Sequence, residues 1–239
     1  MGLSVGIESL EQRMALTVAA PSIRLAAASD TGIRGDGITR LVRPVFTGSA
    51  PARASVVVYA DGTNNLLGVA TATARGAWSL ATPAGRPLTA GDHTITAYAF
   101  RPGQAQSTVT TLSMTVDPTP PTASLAYDPT FKATPTGPVT GRVTLTFSEP
   151  VQGASLANLR FTDPASRFTV PLNSPLLRNY VGKITTTQLS DRSYAFTPAV
   201  QAFAPGTYTM SFLRTGVADR AGNPLAAGTS ATFTIAYPV

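Results

Sequence analysis

The chain has 239 residues, 43% hydrophobic and only 13% charged, a composition that excludes a disordered segment and a charge-laced coiled coil. The 20 Gly and 20 Pro favour many short turns over long helices, so an all-β chain of one large or two small domains is expected. The absence of Cys excludes disulfides, thiolate metal sites and cysteine nucleophiles, and the single histidine, His93, excludes zinc sites built on several imidazoles.

The formal charge of +6 arises from 18 basic against 12 acidic residues. The arginines are dispersed singly from Arg13 to Arg220. Binding of a nucleic acid needs basic side chains clustered along a row of phosphates, so no nucleic-acid partner is expected. No run of about 18 apolar residues occurs, which argues against membrane insertion by a helix, and residues 1–20 lack the basic and apolar regions of a signal peptide.

In chain order, residues 1–20 read as a helical or disordered tail, with Ile7, Leu10 and Met14 spaced as one helical face. From Pro21 the pattern becomes strand and turn. Strands are expected at 23–26, 44–47, 55–59, 67–73, 77–80, 93–100 and 107–116, separated by turn formers such as Asp61-Gly62, Arg75-Gly76 and Pro102-Gly103. About seven strands in about 95 residues is the spacing of an immunoglobulin-like sandwich.

The segment from Asp117 to Thr122 carries three prolines, which hold the backbone extended and donate nothing to a ladder, so it reads as a stiff linker. Strands resume at 123–127, 142–147, 159–162, 168–172, 183–188, 193–197, 207–213 and 230–236. Alternation is clean in Val143 to Phe147 and in Tyr208 to Phe212, where one face is apolar and the other hydroxylated. The expected organisation is a tail at 1–20 and two tandem sandwiches at 21–118 and 119–239, a short rod.

Trp78, the only tryptophan, alternates with Leu80 and reads as the large core residue between two sheets. A sugar platform would instead need a planar row of exposed aromatics, for which Tyr59, Tyr98 and Phe100 are the candidates. His93 lies in a strand and the chain lacks a G-x-S-x-G nucleophile elbow, so a structural role is favoured over a catalytic one. For Glu149 in Ser-Glu-Pro, turn chemistry is favoured over a glycosidase-type pair with an aspartate, and for Asp219 with Asn223 in Asp-Arg-Ala-Gly-Asn a tight turn, with Gly222 or Asn223 taking a positive φ, is favoured over a cation site. The tripeptide Arg34-Gly35-Asp36 carries almost no weight as an integrin-type motif, because three letters recur by chance.

Residues 29–117 carry an ordered series: Ser29-Asp30-Thr31-Gly32, Gly35-Asp36-Gly37-Ile38-Thr39, Pro44 to Gly48, Val56 to Gly62, Gly68-Val69-Ala70, Gly76-Ala77-Trp78-Ser79, Gly91 to Ala97, and Asp117. This series resembles the bacterial Ig-like repeats of surface adhesins and biofilm-associated proteins. Residues 142–225 are similar to a second bacterial Ig-like type, found in S-layer and other surface proteins. That likeness is carried by Val143 to Val151, Gly206 to Met210 and Asp219 to Leu225. The tail motif Leu10 to Leu16 resembles one near the N-terminus of exported planctomycete surface proteins.

The adhesin resemblance implies calcium at domain junctions, where an aspartate ending one repeat joins the acidic loop that opens the next. Asp30, Asp36 and Asp117 are the candidate ligands here, because a hard cation wants several oxygens and end loops can supply them. Turn capping is the competing role for these side chains. Lys132, in the run that opens the second domain, opposes a cation there.

The resemblance further implies a non-catalytic, extracellular or cell-surface segment that spaces, displays and adheres. Expected partners are a cell-surface or matrix protein or a polysaccharide, and further Ig-like modules. The alternative is a carbohydrate-binding accessory module of a secreted enzyme.

Overall fold

A computed structural model describes residues 17–128, 142–163, 168–171, 174, 184–198 and 206–235. The expected helical face at Ile7, Leu10 and Met14, the tail motif Leu10 to Leu16, and residues 172–173 and 175–183 lie outside these residues, as does Lys132. The chain forms two compact units, Met1–Pro118 and Thr119–Val239. Both are built of strands in paired sheets, antiparallel but for one short pair, as expected for tandem sandwiches.

The first unit contains β1 (Arg24–Leu25), β2 (Ile38–Thr39), β3 (Val45–Ser49), β4 (Ser55–Ala60), β5 (Leu66–Thr71), β6 (Ala77–Ala81), β7 (Gly91–Phe100) and β8 (Thr110–Val116). One sheet has the order β1-β3-β6 and the other β2-β8-β7-β4-β5. The strands form where β-branched and small residues alternate, and the alternation sets the inward face. Along β4, Val56, Val58 and Ala60 are fully buried, and along β7 His93, Ile95, Ala97 and Ala99 point inward while Tyr98 and Phe100 do not. These residues close on Phe46, Leu67 and Trp78 in one core.

Seven of these strands coincide with the expected ones. The eighth, β2, is not among the expected strands: it is two residues long and pairs in parallel with β8 through Ile38↔Thr115 and Thr39↔Val116. Two residues are too short to show any period, and a parallel partner more than 70 residues away leaves no local trace.

Trp78 is 3% exposed, and its indole N–H donates to the carbonyl of Ser22 at 3.1 Å. The contact needs a glycine opposite: Gly48 is the cross-strand partner of Trp78, and a Cβ there would lie 1.9 Å from the Ser22 oxygen and 2.8 Å from the indole nitrogen.

The second unit contains β9 (Ala123–Asp128), β10 (Arg142–Phe147), β11 (Leu159–Asp163), β12 (Phe168–Pro171), β13 (Ile184–Ser190), β14 (Ser193–Pro198), β15 (Gly206–Phe212) and β16 (Thr229–Ile235). Its sheets run β13-β14-β10-β9 and β12-β11-β15-β16. Aromatic rings dominate this core. Phe147 meets Phe212 edge-on with centroids 5.6 Å apart, Phe161 stacks on Tyr208 at 5.2 Å, and Tyr127 of β9 stacks on Phe233 of β16 at 4.2 Å, joining the two sheets. A 3-10 turn, Leu156–Asn158, leads into β11, and the Asn158 amide donates to the carbonyls of Leu213 and Thr215, tying two loops together.

The dispersed arginines have a structural use. Arg86 donates to the carbonyl of Leu66, Arg101 to that of Ala52, Arg192 to that of Ser148 and Arg214 to that of Ala226. These guanidinium groups satisfy backbone oxygens at strand ends and loops.

Candidate functional site

The loop from Ser29 to Thr39, which opens the first sandwich, holds two of the three aspartates expected to bind calcium. Its path requires Gly32, Gly35 and Gly37, whose φ values of 69°, 83° and 76° lie in the left-handed region. One carboxylate oxygen of Asp30, Oδ2, accepts the Gly35 N–H at 2.7 Å, and Oδ1 of Asp36 accepts the Ile38 N–H at 2.9 Å. Both aspartates therefore cap turns within their own loop. The other oxygen of Asp30, Oδ1, is buried without a hydrogen-bond partner. A carboxylate oxygen withdrawn from water in this way is suited to a hard cation.

Asp117 follows β8, and its N–H donates to the carbonyl of Thr39 at 2.8 Å, extending the β2–β8 pairing by one bond. Backbone pairing thus draws Asp117 beside the end of the acidic loop. Among the described residues, the carboxylates of Asp30, Asp36 and Asp117 do not converge on one point as a set of three.

A second acidic approach lies within the other unit and was not visible in the sequence. Glu149 follows β10 and Asp219 lies between β15 and β16, yet carboxylate oxygens of the two come within 4.8 Å of each other. Asp219 is 2% exposed; its two oxygens accept the backbone and side-chain N–H groups of Asn223, each at 2.8 Å. Gly222 supplies the positive φ, 85°, that this tight turn needs. The two carboxylates offer hard oxygens from positions 70 residues apart, a separation over which sequence patterns say nothing.

His93 sits at the start of β7, 7% exposed, with both ring nitrogens engaged. Nδ1 lies 2.7 Å from Oδ2 of Asp61 and Nε2 lies 2.9 Å from the carbonyl oxygen of Thr89. Burial alone would lower the imidazole pKa, but the Thr89 carbonyl and the Asp61 carboxylate together outweigh it, so the pKa is raised. Asp61 is shifted the opposite way: its burial penalty is exceeded by bonds from the Thr94 N–H and from His93, which lower its pKa. This is the reverse of a poised catalytic base, whose ring keeps one nitrogen open to a nucleophile.

The outer face of the five-stranded sheet carries Tyr59 on β4 with Tyr98 and Phe100 on β7. The tyrosine rings are nearly parallel, 6.4 Å between centroids, and Phe100 is 37% exposed. Trp78, in contrast, is enclosed in the core and presents no surface. A shallow cleft of about 380 Å³ is lined by Arg40, Leu41, Val42, Arg43 and Thr82.

Two family models, each described as a bacterial Ig-like domain, match residues 17–118 and 117–235. No curated protein matches the chain. Among solved structures, a tetra-tandem repeat from the extending region of a large adhesion protein is 18% identical with a TM-score of 0.33, over 90% of this chain and 49% of that one. A domain of a biofilm-associated protein is 16% identical with a TM-score of 0.30, over 94% of this chain and 31% of that one. A structure concerned with the host cell surface retention of a bacterial ice-binding adhesin is 15% identical with a TM-score of 0.47, over 89% and 63% of the two chains. The chain spans half or less of the length of the first two. Assignment rests on the two family matches: the chain belongs to the bacterial Ig-like domain families and carries two such domains in tandem.

Proposed function

We propose that this tandem is a non-catalytic structural and adhesive segment of an exported cell-surface or extracellular-matrix protein, with module boundaries at 21–118 and 119–239. The observation that carries the reading is that Ig-like domain matches run from residue 17 to residue 235. Such domains work by holding their sheets closed and presenting loops and faces to partners, here a cell-surface or matrix protein or a polysaccharide. The arrangement of the sole histidine agrees, since its ring is occupied on both sides. No helix among the described residues is long and apolar enough to cross a membrane.

Calcium is proposed as a weak stabiliser of the first module, engaging Asp30, Asp36 or Asp117 before any other residue. The unpartnered, buried Oδ1 of Asp30 supports this reading. A second reading, a carbohydrate-binding accessory module of a secreted enzyme, is favoured by Tyr59, Tyr98 and Phe100 on one outward sheet face.

Protease treatment of intact cells tests the principal reading: the protein should be cleaved from outside without lysis. Cleavage only after lysis would contradict it. Binding of soluble polysaccharides that is lost on Tyr98→Ala, by a protein released into the medium rather than retained on cells, would favour the second reading.

A further inference from the structure

The surroundings of His93 impose a choice of protonation state. A carbonyl oxygen accepts only, and so does an ionised carboxylate, whereas a neutral imidazole has one N–H to give. With Thr89 O at Nε2 and Asp61 Oδ2 at Nδ1, a neutral ring leaves one nitrogen lone pair facing an acceptor. The imidazolium donates to both.

These two acceptors come from different parts of the module. Asp61 stands at the turn after β4, in a left-handed conformation with φ of 54°. It is bound to β7 three times: its N–H donates to the Thr94 carbonyl at 2.8 Å, its Oδ1 accepts the Thr94 N–H at 2.9 Å, and its Oδ2 meets His93. Thr89 belongs to the segment that crosses from β6 in one sheet to β7 in the other, a segment anchored by buried Leu88, whose N–H donates to the Val42 carbonyl at 2.8 Å.

We propose that His93 is a protonation-dependent clasp, which as an imidazolium fastens the Asp61 turn to the inter-sheet crossing at Thr89 and on losing its proton releases one of the two. The charges acting on the ring are both negative, Asp61 beside it and Asp92 next to it on β7. Asp92 is held in turn by the Thr115 hydroxyl at 2.6 Å, and the cross-strand partner of His93 on β8 is the uncharged Met114. Nothing in this set favours the neutral ring except burial.

The direction of the pH response follows from linkage. A histidine whose pKa is raised on folding contributes stability that is complete below its unfolded value of about 6.5 and is lost as pH rises through the folded value. Asp61, lowered on folding, contributes above about pH 4, and that contribution is lost as pH falls through its folded value. The clasp is therefore tightest in mildly acidic medium, between about pH 4 and 6.5, and opens on the alkaline side.

The composition makes the test clean, because His93 is the only histidine and Trp78, in the same core, the only tryptophan. On the full chain, nitrogen NMR of the imidazole should give a titration midpoint above the ordinary value of about 6.5, with both ring nitrogens protonated below that midpoint. Asp61→Asn should move that midpoint down. Trp78 fluorescence should report a melting midpoint that falls by about 4 to 8 °C between about pH 6 and pH 9, and His93→Gln should flatten that dependence.

A neutral ring at about pH 7 with a midpoint at or below about 6.5 would overturn the clasp. So would a midpoint untouched by Asp61→Asn, or wild-type and His93→Gln chains with the same pH profile. Should His93→Gln not fold, the imidazole titration in wild-type and Asp61→Asn chains decides alone.

Discussion

A carboxylate at a turn can cap its own backbone or neutralise a bound cation, and the balance depends on how many of its lone pairs the loop consumes. In the loop from Ser29 to Thr39 each aspartate gives one oxygen to a backbone N–H, and Asp30 keeps a second oxygen buried and unpartnered. Millimolar calcium should therefore raise the melting midpoint read by Trp78 fluorescence, by roughly 2 to 3 °C when the ion is near its dissociation constant. The double change Asp30→Asn with Asp36→Asn should remove the rise, and an unchanged midpoint in wild type would leave these side chains as turn caps only. The loop and its aspartates were legible in the sequence because Gly and Asp mark turns by their own chemistry. The partners of His93 were not: Asp61 lies 32 residues away, and only the pairing of β4 with β7 brings them together.

At the scale of elements, alternation located nearly every strand, because a sandwich strand must show an apolar face to the core at every second residue. It failed where no period exists, in the two residues of β2, and where like charges approach across loops, at Glu149 and Asp219. Pairing also explains the glycine opposite the core tryptophan. Gly48 lets β3 pass close to the Ser22 carbonyl, which accepts the indole N–H of Trp78. Gly48→Ala forces a methyl group into that contact and should destabilise the first module by about 1 to 3 kcal/mol, measured by denaturant unfolding. Gly85→Ala is the control, because a Cβ there meets nothing within 4 Å. Equal stability of the two variants would mean that the Ser22–Trp78 contact can shift freely.

For the whole molecule, composition alone pointed to β structure and excluded cysteine chemistry, and three prolines between Asp117 and Thr122 marked the change of module. The two cores differ in kind: the first is mainly aliphatic around one indole, the second sets aromatic rings among aliphatic side chains. The described residues of each core come from one unit, which is the condition for separate unfolding. The most direct measurement is single-molecule stretching of the full chain between its termini. Two separate rupture events are expected, each releasing about 100 to 120 residues, or about 330 to 430 Å of extended chain. One event releasing the whole chain, or a smooth extension without ruptures, would contradict a tandem of two self-contained mechanical modules.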